Sequence, residues 1–384
     1  MLCNKFYRYS FQLSSFVRYQ TNIANDNQNS KSSTEKKVHD QYLSNITVTS
    51  FYCQTAIEQF ALKQSTRLSP LTMMYIGKTE DGGHLLRSAQ YLHKDLPIRF
   101  AHRINDFRNL PFVVACNPLL LELHERFIKI FHTLHSFPSI KTLEHEKHFT
   151  ELLQNTLTCS SDTLPLLAEG FRKSKQHIKQ EMFVRNFLDR ALTSRLAIKM
   201  LIEHHIELRN DKPNHIGVIC MSFSPKKLIE ASAEYAQEVC RATYGIAPDV
   251  TIDGHVNSSF PYITTPLSYI VPEMLKNAFR VRDRGGGMPG SLLNKIHDYH
   301  FSSNNVSNES SLLSYTDFDN HLYDQLTKRN SQHRMSGYGF GVPTSRAYCE
   351  YLNGSLTFET MYGIGTDVYI RVGLLTSENR IVRL

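Results

Sequence analysis

Pro272-Glu-Met-Leu-Lys-Asn-Ala-Phe-Arg-Val-Arg-Asp-Arg-Gly-Gly-Gly-Met-Pro-Gly290 places a carboxylate and an amide four residues apart, so Glu273 and Asn277 fall on one face of a helix. Thr265 and Pro266 supply the cap and first-turn proline for that helix. An amide oxygen is a hard ligand suited to magnesium (Mg2+) held mainly by phosphates, and a neighbouring carboxylate accepts a proton from an attacking hydroxyl. Further along, Asp283 can accept a hydrogen bond from an exocyclic amine, and Gly285 to Gly287 let backbone approach a ligand closely. Any exposed helix offers a Glu/Asn pair at this spacing, so the pair gains meaning only from the glycine segments C-terminal to it.

Two more glycine segments come next in order. Gly337-Tyr-Gly-Phe-Gly341 leads through Val342, Pro343 and Thr344 into a helical stretch whose N-terminus can face phosphates. Gly363-Ile-Gly-Thr-Asp367 precedes a strand candidate, Val368 to Val372. A single glycine loop is ordinarily a turn. Four such elements in this order resemble the asparagine box and three glycine boxes of the GHKL superfamily of ATPases and kinases, which includes gyrase and the histidine kinases. Tyr338 and Phe340 read as packing residues that shape the glycine loop. His204, His205 and His300 read as packed or surface residues rather than phosphohistidines, since no histidine-kinase dimerisation box accompanies them.

Within that superfamily the chain resembles the mitochondrial 2-oxoacid dehydrogenase kinases. The likeness extends to Leu-Pro-Ile-Arg-Phe-Ala-His-Arg (96–103), Phe-Leu-Asp-Arg-Ala-Leu-Thr-Ser-Arg-Leu (187–196), Gly-Val-Ile-Cys (217–220), Ser-Pro-Lys-Lys (224–227) and the run from Gly337 to Tyr351. Leu-Leu-Ala-Glu-Gly (166–170), Asp-Tyr-His-Phe (298–301) and Gly-Thr-Asp-Val-Tyr-Ile-Arg (365–371) resemble the branched-chain branch more than the pyruvate branch. The resemblance implies an α plus α/β two-domain fold: an N-terminal four-helix bundle and a C-terminal GHKL (Bergerat) ATP-binding α/β sandwich. It implies an ATP-dependent kinase that phosphorylates serines on the branched-chain 2-oxoacid dehydrogenase α subunit, docks on the lipoyl-bearing transacylase core and forms a homodimer in the mitochondrial matrix. Carried over by position, Glu273 is the general base, Asn277 the magnesium ligand and Asp283 the adenine reader. Gly285, Gly287, Ser302, Ser303, Ser336, Gly337, Gly339, Gly341, Val342 and Thr366 fall on nucleotide-contacting positions, and Ile296, Asp298, Phe301 and Gly339 on those that hold potassium (K+). A pyruvate dehydrogenase kinase is the alternative within the enzyme class.

One departure from that pattern is large. Between Asn277 and Asp283 stand only Ala278, Phe279, Arg280, Val281 and Arg282. About thirty residues are missing relative to the family, the length of two average strands with their connections. The two residues that link Arg280 to Asp283 span at most about 7 Å, too little for one proper strand. The sandwich is therefore expected to lack about two strands. A skipped exon, a catalytically silent scaffold on the transacylase core and an active compact variant all fit this spacing.

Outward from this region the grammar is helical toward the N-terminus. Asn117 and Pro118 open a pattern of Leu120, Leu123, Phe127, Ile130, Phe131 and Leu134, and a second runs Val184, Phe187, Leu188, Ala191, Leu192, Ile198, Leu201, Ile202. With the segment from Leu85 to Phe100, these predict an antiparallel bundle. After Pro213 the pattern turns mixed, with strands expected at Ile216 to Met221 and Val250 to Ile252 around a helix from Ser224 and Pro225 to about Thr243. The division is a presequence and linker at 1–43, a helical domain at 44–213 and the kinase domain at 214–384, with Ser302 to Ser314 read as a mobile loop. The first 25 residues hold Lys5, Arg8 and Arg18 with no Asp or Glu before Asp26, a mitochondrial presequence composition. Seven scattered cysteines without a CxxC pair argue against a disulfide frame and a zinc site. The net charge of +7 is not gathered into a Lys/Arg stripe interleaved with aromatics, which speaks against nucleic acid, and no apolar run reaches a membrane span's roughly 18–20 residues.

Overall fold

The computed structural model describes residues 54–66, 73–74, 83–174, 181–210, 212–280, 288, 290–293, 295–300, 339–361, 364–373 and 375. The presequence reading, the 302–314 loop, Asp283, Gly285, Gly287, Phe301, Ser302, Ser303, Ser336 and Gly337 therefore lie outside the described residues. The chain divides into a short N-terminal unit, Met1–Ala56, and a compact unit, Ile57–Leu384, which holds every helix and strand named here. No described helix is long and apolar enough to cross a membrane.

The helical half is built from α1 (Gly83–Arg108), α2 (Pro118–His135), α3 (Leu143–Cys159), α4 (Thr163–Ser174) and α5 (Glu181–Glu207). Asn117 caps α2 as its sequence suggests: its Oδ1 accepts from Leu119 N at 3.0 Å, ahead of Pro118 in the first turn. The six apolar residues read from the period of α2 are the six that it buries. Asn117 Nδ2 also donates to Gly170 O and Ser174 Oγ, both at 3.2 Å, binding the start of α2 to α4. Gly170 is needed there, since a Cβ would stand 2.7 Å from Leu120 Cδ2. Rings fasten the bundle across helices: Phe107 of α1 meets Phe127 of α2 at 5.7 Å and Phe187 of α5 at 5.3 Å, and Phe187 meets Phe171 of α4 at 5.3 Å.

The mixed half begins with β1 (His215–Ile216) and β2 (Ile219–Phe223), then α6 (Pro225–Tyr244), β3 (Phe260–Ile263) and α7 (Thr264–Arg280). The single run expected at Ile216–Met221 is a hairpin instead, turning at Gly217, which takes φ of 55°. The strand expected at Val250–Ile252 does not form: those residues belong to no helix or strand. The partner of β2 is β3, with Ile219 opposite Ile263, Cys220 opposite Tyr262 and Phe223 opposite Phe260. Pro261 disguises β3 in the sequence, since proline belongs to edge strands, and β3 is one of the two edges of this sheet. A second sheet pairs β4 (Ser355–Met361) with β5 (Gly365–Arg371) in register from Ser355 opposite Arg371 to Met361 opposite Gly365. Among the described residues the two sheets are separate, of three and two strands. α7 packs against α6 on one side and against α8 (Gly341–Tyr351) on the other, and α8 lies on α5 and β4.

Candidate functional site

Glu273 and Asn277 emerge from the C-terminal half of α7, where it faces the first turn of α8. Glu273 is 6% exposed and pairs with Lys276 on the next turn. Asn277 is half-buried beside it. Gly341 opens α8 directly against both: a Cβ on Gly341 would collide with Glu273 Oε2 and lie 3.7 Å from Asn277 Nδ2. The carboxylate, the amide and the first turn of α8 thus meet at one spot. The N-cap of α8 is Phe340, which makes no side-chain capping hydrogen bond, and the first-turn N–H groups of a helix suit an anion.

Gly339, just before Phe340, has φ of 76° and needs a glycine there. Its carbonyl accepts from His300 N at 3.1 Å, which sets the 295–300 segment beside the loop. Phe340 is fully buried, with Tyr299 at 4.8 Å and His300 at 4.9 Å, in keeping with a packing role. Of the positions expected from the sequence to hold potassium, Ile296 is half-buried and Asp298 is exposed, its Oδ1 lying 3.8 Å from Arg185 of α5. Val342 is half-buried on the first turn of α8, while Pro343, Thr344 and Ser345 are buried. Thr366 sits on β5 with its Oγ1 3.0 Å from Thr360 Oγ1, and Thr360 Oγ1 in turn accepts from Met288 N at 2.7 Å. The last glycine segment is therefore tied to the residue that directly succeeds Gly285–Gly287.

His204 and His205 are built into the buried interior of the helical half. His204 is 5% exposed with Val218 N donating to its Nδ1 at 3.4 Å, and Gly217 packs so closely on its ring that no side chain fits there. Burial, with a lesser contribution from His205, lowers its pKa to about 4. His205 Nδ1 meets Ser88 Oγ at 3.0 Å and its Nε2 meets Thr150 Oγ1 at 3.0 Å, joining α5 to α1 and α3.

One cluster had no signal in the local sequence pattern. Asp189 of α5 accepts from Tyr299 Oη at 2.5 Å and from Arg346 Nη2 of α8 at 2.9 and 3.1 Å. Asp189 lies inside Phe-Leu-Asp-Arg, a segment notable in the sequence for its family resemblance alone, and its partners are more than a hundred residues away.

Comparison with known proteins finds similarity to mitochondrial 2-oxoacid dehydrogenase kinases. A family model described as mitochondrial branched-chain alpha-ketoacid dehydrogenase kinase matches residues 67–220, and one described as histidine kinase-, DNA gyrase B-, and HSP90-like ATPase matches 270–376. The chain is 30% identical over 353 residues to the mitochondrial pyruvate dehydrogenase (acetyl-transferring) kinase of Arabidopsis thaliana, covering 83% of this chain and 93% of the relative. It is 26% identical to the corresponding kinase of Schizosaccharomyces pombe, covering 84% and 96%, and 25% identical to the mouse isozyme 3, covering 81% and 82%. In each case the alignment runs longer than the part of this chain it uses, so the relatives carry residues that this chain lacks.

Proposed function

The chain belongs to the family of mitochondrial pyruvate and branched-chain 2-oxoacid dehydrogenase kinases, and we propose that it transfers phosphate from ATP to a serine of the branched-chain 2-oxoacid dehydrogenase α subunit in the mitochondrial matrix. The observation that carries this reading is the contact of Gly341 with Glu273 and Asn277. A buried carboxylate, a hard amide oxygen and the N-terminus of a helix meet where a phosphoryl group, its metal and an attacking hydroxyl are needed together.

In this reading Glu273 accepts the proton of the serine hydroxyl, and Lys276 holds the carboxylate in place through their ion pair. Asn277 Oδ1 suits Mg2+ held chiefly by phosphates, and the metal when bound neutralises phosphate charge. The N–H groups of Gly341 and Val342 point along the axis of α8 toward the same spot and bind phosphate oxygens there. Asp283 reads the adenine, and Gly285, Gly287, Ser302, Ser303, Ser336, Gly337 and Thr366 complete the nucleotide contacts. K+ is held by carbonyls around Gly339 with Ile296, Asp298 and Phe301, because a carbonyl that already accepts from His300 N keeps a second lone pair. The helical domain docks on the lipoyl-bearing transacylase core, and two copies pair. The branched-chain substrate is favoured by the family model over residues 67–220 and by the segments 166–170, 298–301 and 365–371.

A pyruvate dehydrogenase kinase is the second reading, favoured by the printed names of the relatives. Incubation of the full chain with radiolabelled ATP, Mg2+ and K+ beside each of the two dehydrogenases separates them. Label on a serine of the branched-chain α subunit is expected. Label on the pyruvate dehydrogenase subunit alone supports the second reading, and label on neither refutes both.

A further inference from the structure

One carboxylate of the helical bundle holds the nucleotide loop from two sides. Asp189 accepts from Tyr299 Oη at 2.5 Å and from Arg346 Nη2 at 2.9 and 3.1 Å. Tyr299 lies against the ring of Phe340, and the next residue donates its N–H to Gly339. Arg346 stands on α8, whose first residue is the Gly341 that abuts Glu273. The segment 339–341 is thus pinned through its preceding neighbour by Tyr299 and through its helix by Arg346, and both pins end on the same side chain. Burial pushes the Tyr299 phenol far up and the carboxylate pushes it further, so the hydroxyl stays a donor throughout the stable pH range. Burial works against the charge on Arg346, but Asp189 and Glu350 outweigh it. Glu350 is the weaker holder, being 55% exposed and 3.3 Å from Nη1.

We propose that Asp189 is a positioning residue for the nucleotide loop, an inference that rests on the ATP-site reading of α7 and α8. The 339–341 segment takes its place from what it packs against: Gly339 is in the left-handed region, Gly341 has no side chain, and Phe340 is held between Tyr299 and His300. Without the carboxylate, Tyr299 loses its acceptor and, among the described residues, Arg346 keeps only the exposed Glu350, leaving poorly compensated polar groups in a largely buried place. The cheapest relief is a shift of the 295–300 segment and the start of α8, which moves the phosphate-facing N–H groups relative to Glu273.

Hydrogen exchange of the full chain, read with Mg·ATP calorimetry and steady-state rates, tests this in Asp189→Ala and Asp189→Asn. In Asp189→Ala, amides of 339–345 exchange at least about tenfold faster while those of 120–134 in α2 keep their protection, because only the local opening becomes easier. The dissociation constant and KM for ATP rise about tenfold, whereas kcat at saturating ATP changes less than about threefold, as expected when loss of preorganisation falls on binding. Asp189→Asn keeps an acceptor for Tyr299 and falls between the two. Unchanged exchange at 339–345, or an equal loss of protection throughout α2, overturns the inference. An unaltered chain that binds no ATP, with the loop still loosened selectively in Asp189→Ala, refutes the nucleotide reading and leaves the positioning role standing.

Discussion

At Gly341 a single methyl group would enter the space of Glu273 Oε2 and push that carboxylate out of its place. Gly341→Ala is expected to lower phosphoryl transfer by about a hundredfold, since misplacement on the scale of an ångström suffices for that. Thermal melting should show a folded protein; an alanine variant with full activity would contradict the geometry. Glu273→Gln keeps the shape of the site and removes the proton acceptor, so kcat should fall about 100- to 10,000-fold while the calorimetric affinity for Mg·ATP stays near that of the unaltered chain. Glu273, Asn277 and Gly341 were legible because each carries its chemistry in its own residue type and in a short spacing. Asp189, Tyr299 and Arg346 were not, because an acid that meets its partners across more than a hundred residues leaves no local pattern.

Among elements, the helices were the readable part and the strands the difficult one. The apolar period of α2 and its Asn117 cap survive unchanged, and Asn117→Ala should cost about 1–2 kcal/mol in chemical denaturation, a cap plus two bonds to α4. A loss under a few tenths would mean that the cap is idle. β3 escaped notice because Pro261 sits in it, and the hairpin of β1 and β2 because its turn depends on the positive φ of Gly217. Acid stability is set by contacts between helices. Burial would raise the Glu146 carboxyl, but hydrogen bonds from His205, Arg209 and Thr150 outweigh it and hold the pKa at about 2, below the ordinary 4.5. That contribution is complete above the ordinary value and is lost as pH falls from there toward 2. The depressed pKa of His204 acts the same way over a higher window, with stability lost as pH falls from 6.5 toward 4. Denaturant midpoints against pH should therefore show two descending steps. Glu146→Gln removes most of the lower one, and His204→Gln makes the upper one shallower without abolishing it, because His124 is lowered to about 4 as well. An unchanged profile in both variants would remove these groups from the account.

For the whole molecule, the two-domain plan was legible because the hydrophobic period switches near Pro213 and four short boxes stand in a fixed order. The closeness of the first and second boxes was legible too, as a count of residues, but its structural consequence was not: segment 281–287 lies outside the described residues, and the two sheets are separate among those described. What the fold does show is that α7 and α8 find each other with only five residues between Asn277 and Asp283. The nucleotide site is therefore expected to form on the chain as it stands. Calorimetry with Mg·ATP and K+ on the chain lacking residues 1–43, run beside a version with the family's intervening segment restored, tests this most directly. The account predicts saturable binding by both, lost in each when Asn277 is replaced by alanine; binding by the restored version alone would contradict it.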